Sequence, residues 1–351
     1  MPDSKERIWV QATPVPSTTA DAVATARERR RGIRTCPGYL RPRREPGNAD
    51  RRARLGHMAQ RIVITGAGGM VGRVLADQGR GEGRDVLALT SAECDITDVG
   101  AVRQHIEPGD VVINCAAYTQ VDAAETDQDR AYAVNATGPG NLATVCAHAG
   151  ADLVHISTDY VFGAAAQRRT PYEVDDETGP VNVYGQSKLA GEHAVLAAKP
   201  DAYVVRTAWV YRGGDGADFV ATMRRLAAGD GPVDVVADQI GSPTYTGDLV
   251  SALLQIADGG VRPGVLHAVN AGPASRFDQA RETFAAIGAD PQRVRPVDSG
   301  HHRRPAPRPA YTVLSARRSA EAGLTPLRDW REALVAAVGK ESPSGPLPST
   351  P

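Results

Sequence analysis

The stretch YGQSKLAGE, residues 184–192, holds a tyrosine and a lysine four positions apart. On a helix, Tyr184 and Lys188 share one face about a turn apart, so an ammonium can sit near a phenol. A phenol with a pKa near 10 is a reluctant proton carrier at neutral pH, and a nearby ammonium stabilises its phenolate. Such a pair is either a proton donor to a reacting oxygen or an ordinary helix-surface pair. The segment alone does not choose between them.

Two further stretches bear on the choice. ITGAGGMVG, residues 64–72, follows a short β-branched strand and opens a helix, the place of a dinucleotide-binding turn. There Gly66 permits the tight turn, Gly69 lets the backbone approach a diphosphate and Gly72 lets the helix pack on the strand. Free N–H groups at the helix start then face the phosphates. HISTDYVF puts Ser157, Thr158 and Asp159 at the end of another strand, with Tyr184 following Thr158 by 26 residues and Lys188 by 30.

These residues need a scaffold, and the hydrophobic pattern supplies one. Strands are expected in RIVITGA, DVLALT, DVVINCAA, DLVHIST and YVVRTAWVY. Helices are expected in GMVGRVLADQGRGEG, in RAYAVNATGPGNLATVCAHAG and in VYGQSKLAGEHAVLAAK. Strands of nearly continuous apolar residues alternating with helices predict an α/β fold, a doubly wound, Rossmann-like parallel sheet covered on both faces. Residues 58–210 are expected to form the dinucleotide-binding domain. Residues 211–340 are expected to form mainly a smaller C-terminal substrate lobe, interleaved with the last strands of the sheet. Its expected elements are helices in DFVATMRRLAAG, GDLVSALLQIA and LRDWREALVAAVG, strands in VDVVADQ and VLHAVN, and a Pro-rich run before the last helix.

The two ends differ from this body. Residues 1–57 are rich in Arg and Pro, carry 13 Lys+Arg against 6 Asp+Glu and show no amphipathic period, so they are expected to be a disordered extension, and residues 341–351 a disordered tail. Net charge over all 351 residues is −1, which argues against a polyanion-binding protein as a whole. No apolar run approaches the roughly 20 residues that span a bilayer. Cys36, Cys94, Cys115 and Cys146 are widely spaced, with no metal-ligand pattern, and read as reduced thiols of a cytoplasmic protein.

The glycine spacing GxxGxxG, with the Tyr/Lys pair, resembles the extended branch of the short-chain dehydrogenase/reductase superfamily. Within it, NCAAYTQVDAAE (114–125), STDYVFG (157–163), NVYGQSKLAGE (182–192), RTAWVY (206–211), DQIGSPTY (238–245) and PRPAYTVLS (307–315) resemble the dTDP-4-dehydrorhamnose reductase family over residues 60–338. The resemblance implies reduction of a sugar-nucleotide C4 ketone, with NADPH as cofactor and NADH as a second option. It implies Tyr184 as proton donor with Lys188 beside it, Thr158 as a donor to the carbonyl, and Asn135 in a proton relay. The expected cofactor contacts are Gly66, Gly69, Met70, Val71 and Gly72, then Asp95 and Ile96, then Ala116, Ala117 and Tyr118, with Tyr184 and Lys188. Thr158, Asp159 and Trp209 are expected at the dTDP-sugar; the other reading of Trp209 is a core residue after a buried strand.

Three comparisons within that branch refine the expectation. Sugar-nucleotide dehydratases carry Asp-Glu after the threonine, whereas Asp159 is followed here by Tyr160, so simple reduction is the better reading. Some family members place a dimer-contact metal on a glutamate just after the glycine loop, where Arg73 and Val74 stand here, and no metal is carried over. The second strand ends in Thr90 and Ser91 with no carboxylate, and Arg73 is close in sequence to the glycine loop, so NADPH is expected to be accepted at least as well as NADH. The alternatives are another sugar-nucleotide reductase or epimerase of this branch, or a non-catalytic dinucleotide-binding subunit. No nucleic-acid or membrane partner is expected; a homodimer is compatible with the resemblance, and the oligomeric state is left open.

Overall fold

The structure, a computed structural model, describes residues 60–339 apart from residues 166, 215 and 303. The expectations for residues 1–57 and 341–351 lie outside the described residues. In chain order the first half gives β1 (Ile62–Thr65), α1 (Met70–Gly81), β2 (Val86–Leu89), α2 (Val99–Arg103), β3 (Val111–Asn114), α3 (Val121–Ala124), α4 (Gln128–Tyr132), α5 (Gly138–Ala149), β4 (Asp152–Thr158), α6 (Val183–Ala198) and β5 (Tyr203–Thr207). The second half gives β6 (Val210–Tyr211), α7 (Phe219–Ala227), β7 (Val233–Val236), β8 (Ile240–Gly241), β9 (Thr244–Tyr245), α8 (Thr246–Ala257), β10 (Gly264–His267), β11 (Ala274–Ser275), α9 (Arg276–Ala286), β12 (Val294–Val297), α10 (Arg317–Glu321) and α11 (Trp330–Gly339).

Among the described residues the main sheet has six strands in the order β10-β5-β4-β3-β1-β2, all parallel. Alternate strand residues serve opposite faces. Ile62 and Ile64 pack with Leu75 of α1 and with Leu249 and Leu253 of α8, while Val63 packs with Leu142 and Cys146 of α5 and Val195 of α6. Burial on both faces is why these strands are apolar without alternation. The chain leaves β1 for β2 on one side and then crosses to β3 on the other, so a crevice opens at the carboxyl ends of β1 and β3. The C-terminal half adds β10 and α8 to this sheet, and separately builds a core of Met223, Val235, Phe284 and Val294 from α7, β7, α9 and β12. No helix among the described residues is long and apolar enough to cross a membrane.

Four local departures from the expected pattern have physical causes. The helix expected through RAYAVNATGPGNLATVCAHAG is interrupted by a π-turn at Ala133–Thr137. Pro139 has no N–H to give the Asn135 carbonyl in α register, and Gly191 of α6 closes on that carbonyl so tightly that a Cβ would lie 2.0 Å from its oxygen. The strand expected through YVVRTAWVY stops at Thr207, because Trp209 takes φ +47 before β6 begins. The Pro-rich run contains β12, which pairs in parallel with β7; Pro296 is tolerated in a two-stranded sheet where an edge needs no donor. A short helix, α2, also forms behind its Asp98 cap, whose side chain accepts from Gly100 N.

Candidate active site

The glycine loop meets the crevice first. Gly66 has φ +72, and a Cβ there would lie 2.4 Å from Ala116 N; a Cβ on Gly72 would lie 2.5 Å from Gly66 O. Only glycine allows this turn to lie against both β3's exit and its own helix. Gly69 caps α1 without a side chain, and no acidic residue occupies the first turn, so the N–H groups of Met70, Val71 and Gly72 are left for a ligand at the positive end of the helix. The next strand exit is anchored by Asn114, whose Oδ1 accepts from Thr65 Oγ1 (2.8 Å) and Ala116 N (3.0 Å). Ala117 and Tyr118 follow, half-buried, and Asn135 holds Tyr118 by its backbone, accepting from Tyr118 N (2.8 Å) and donating to Tyr118 O (3.0 Å). The same amide donates to Ser187 Oγ of α6 (3.0 Å), so the π-turn ties the β3 exit to the helix of the Tyr/Lys pair.

Asp95 lies beyond β2, its Oδ1 accepting from Thr97 N and Thr97 Oγ1 in a local turn. The Ile96 side chain is buried against Gly138 of α5, which leaves only its backbone for a cofactor. Neither Thr90 nor Ser91 is acidic, but Glu93 folds back so that its Oε2 accepts from both Thr90 N and Thr90 Oγ1 at 2.8 Å. A carboxylate therefore does stand at the end of β2, which corrects the expectation that none does; the spacing hid it because the side chain, not the sequence position, reaches the strand end.

Asn182 caps α6 by accepting from Gly185 N (2.8 Å), and this sets Tyr184 in the first turn. A Cβ at Gly185 would lie 2.2 Å from Tyr160 O, so the helix start rests directly on the segment after β4. The Tyr184 ring meets Tyr160 edge-on, with centroids 5.8 Å apart, and its phenol lies beside the Thr158 side chain. Burial holds the phenol above its usual range; the Thr158 side chain acts in the opposite sense, while Asp159 and Tyr160 add to the rise. Lys188 is buried, and its Nζ donates to Ile156 O (2.6 Å) and lies 3.5 Å from His155 Nε2. Burial pushes the ammonium down to about 8, with Glu192 resisting. The ammonium is thus directed at a backbone carbonyl of β4.

Thr158 Oγ1 donates to Asp159 Oδ1 (3.1 Å), and Asp159 Oδ2 accepts from Thr312 Oγ1 (2.6 Å). Burial lifts the Asp159 carboxyl to about 6 against these two bonds. Ser157 faces the other way, donating to Glu192 Oε1 (2.5 Å), as alternation along β4 requires. Trp209 is half-buried, with its indole between Gly241, where a Cβ would lie 2.5 Å from the ring, and the Arg276 guanidinium, 3.7 Å from the ring centroid. Beside Tyr160 and Arg276 opens a cavity of about 890 Å³, whose far wall includes Arg304 and Arg308. Arg308 is paired with Asp122 at 2.9 Å through both of its terminal nitrogens.

The arrangement brings Thr158, Asp159, Tyr184 and Lys188 together at the crevice that the glycine loop borders. Arg276, Asp122 and Glu93 were not legible in sequence; the PRPAY segment was, but only as a family likeness. Among the described residues no group of three or more His, Cys, Asp or Glu side chains is placed to hold a metal ion.

Comparison with known proteins agrees with this geometry. Residues 60–342 match the family described as RmlD substrate binding domain. A dTDP-4-dehydrorhamnose reductase of Mycolicibacterium smegmatis is 76% identical over 323 residues, covering 91% of this chain and 98% of that protein. One from Mycobacterium tuberculosis is 61% identical over 300 residues, covering 83% and 98%. The crystal structure of the Bacillus anthracis dTDP-4-dehydrorhamnose reductase in complex with NADP is 36% identical and superposes with a TM-score of 0.76, covering 81% of this chain and all of that one. By the family model and by identity sustained over nearly the whole length of these reductases, the chain belongs to the dTDP-4-dehydrorhamnose reductase family.

Proposed function

We propose that the chain reduces the C4 ketone of dTDP-4-dehydro-L-rhamnose to the alcohol of dTDP-L-rhamnose, with NADPH as reductant and Tyr184 as proton donor. The observation that carries the reading is the placement of the Tyr184 phenol beside the Thr158 side chain, at the carboxyl edge of the sheet, in a chain 76% identical to a reductase of that substrate. The glycine loop fits a dinucleotide, since the first turn of α1 has neither a side-chain cap nor an acidic residue and so leaves its N–H groups for a diphosphate. When bound, NADPH supplies the hydride. The residues then divide the remaining work. The N–H groups of Met70 and Val71 hold the cofactor diphosphate, with Ala116, Ala117 and Tyr118 along its length. Thr158 Oγ1 donates to the C4 oxygen as that oxygen gains negative charge. Tyr184, kept neutral by its raised pKa, still carries its proton at neutral pH and delivers it to the same oxygen. Lys188, on the same helix face, offsets the phenolate left behind and reaches the cofactor ribose. Asp159 and Trp209 border the sugar.

The first test is direct: the purified chain consumes NADPH when dTDP-4-dehydro-L-rhamnose is added, and no consumption by folded protein at any substrate concentration removes the reading. Cofactor choice follows from the β2 exit. NADPH is the reductant, and the Glu93 carboxylate at Thr90 limits its margin over NADH, because a carboxylate there accepts from a ribose hydroxyl and repels a 2′-phosphate. Glu93→Gln is therefore expected to raise the NADPH:NADH ratio of kcat/KM by roughly 3- to 10-fold, a modest charge effect at a solvent-exposed site. An unchanged ratio means that Glu93 does not face the ribose.

A further inference from the structure

Arg276 stands where folding alone does not reward it. It is the first residue of α9, directly after the Ser275 cap, and so places a cation at the positive end of a helix dipole. The helix start is already complete: Ser275 and Asp278 form a capping box, with Asp278 Oδ2 accepting from Ser275 N (2.9 Å) and Ser275 Oγ (2.7 Å). Asp278 is thereby engaged with the cap. The Arg276 guanidinium donates to Gln279 Oε1 (3.1 Å) and makes no ion pair among the described residues; the Asp159 carboxylate acts on it only from beyond ion-pair distance. Burial pushes its pKa down to about 10, so it remains a cation at neutral pH. It is stacked on Trp209 and flanked by Phe219, whose ring centroids lie 3.7 Å and 4.9 Å from the guanidinium carbon. Stacking engages the faces of the guanidinium rather than its in-plane N–H groups, of which one is given to Gln279, and Arg276 lines the cavity beside Tyr160. Of the other two arginines on that cavity, Arg308 is neutralised by Asp122 and Arg304 lies 3.9 Å from the same carboxylate.

A half-buried cation with no carboxylate at ion-pair distance among the described residues, at the wrong end of a helix and on the wall of a cavity, is a local conflict that a bound anion resolves. A planar fork matches phosphate oxygens in a bidentate manner. We infer that Arg276 anchors the diphosphate of the sugar nucleotide, and that its stack on Trp209 couples diphosphate binding to the position of the indole. The inference rests on the reading of the cavity as the sugar-nucleotide site. It also accounts for the φ of +47 at Trp209, a conformation retained because Gly241 and Arg276 grip the indole from both sides.

The test uses the NADPH-saturated enzyme and three probes: dTDP, dTMP and thymidine. The parental protein is expected to bind dTDP at least 10²-fold more tightly than thymidine. Arg276→Met is expected to cut that ratio by roughly 10- to 100-fold, the range for losing charge-assisted hydrogen bonds to an anion. Arg276→Lys is expected to keep part of it, with dTMP falling between dTDP and thymidine throughout and the NADPH Kd unchanged. A ratio that survives Arg276→Met overturns the assignment. So does an equal loss for dTDP and thymidine, which is the signature of a residue that only supports the fold. The reductase reading is judged separately, by NADPH consumption in the parental protein: Arg276-dependent dTDP binding without turnover would sink that reading and leave this one standing.

Discussion

Tyr184→Phe is expected to slow the chemical step by roughly 10²-fold or more while leaving the fold intact. The substitution keeps the ring, its edge-on contact with Tyr160 and the Asn182 cap of α6; it removes one hydroxyl that lies beside Thr158. Single-turnover consumption of enzyme-bound NADPH is the measurement, because slow product release cannot mask the proton-transfer step there. A folded, NADPH-saturated variant that reduces the ketone at near the parental rate eliminates Tyr184 as proton donor. Thermal stability is expected to stay close to parental, since the change removes a single hydroxyl at a half-buried position and leaves the ring packing intact.

The second large effect falls on stability. Glu192 and Arg206 are both almost fully buried and joined by two hydrogen bonds, from Arg206 Nε (2.9 Å) and Nη2 (2.8 Å), with Ser157 Oγ donating to Glu192 as well. Arg206 also donates to Val174 O and lies over the Phe162 ring, so it cannot swing out to water without dismantling its surroundings. Glu192→Ala strands this cation, and the expected loss is about 3–5 kcal/mol, the range for breaking one half of a buried pair. For a folded body of this size that corresponds to a fall in Tm of about 5–9 °C. Replacing both partners, Glu192→Leu with Arg206→Met, is expected to recover much of the loss, because the penalty lies in the unpaired charge rather than in the missing attraction. Urea unfolding of the single and double variants measures both. A single-variant loss below about 1 kcal/mol would show that Arg206 finds another partner or water. The same single change removes the carboxylate that resists deprotonation of Lys188, so the Lys188 pKa is expected to fall further below about 8.

Much of this architecture was legible in the chain. Apolar strands such as IVIT and VVIN could only be buried on both faces, and the glycine loop between the first strand and helix announced the crevice. STDY and YGQSK stood out as candidates for the reaction because their chemistry is concentrated at short spacings next to recognisable strand and helix ends. What could not be read depends on side chains that act far from their own segment. Arg276 meets Trp209 across 67 positions, and Asp122 meets Arg308 across 186. Glu93 reaches back three residues to the β2 exit, against the expectation taken from Thr90 and Ser91 alone. The π-turn at Asn135 had a local signal in Pro139, but its reason, the close approach of Gly191 from α6, is tertiary. The direction of the Lys188 ammonium was likewise beyond helical spacing, which puts two residues on one face without saying which carbonyl lies beneath them.

The central claim is that this chain delivers a hydride from NADPH to C4 of a dTDP-linked 4-keto sugar. The most direct measurement supplies NADPH deuterated in its transferable position together with dTDP-4-dehydro-L-rhamnose, and follows the product by NMR. The account predicts dTDP-L-rhamnose carrying one deuterium, at sugar C4, in amount equal to the NADPH consumed. Deuterium retained on the cofactor, or found at any other sugar carbon, would contradict it.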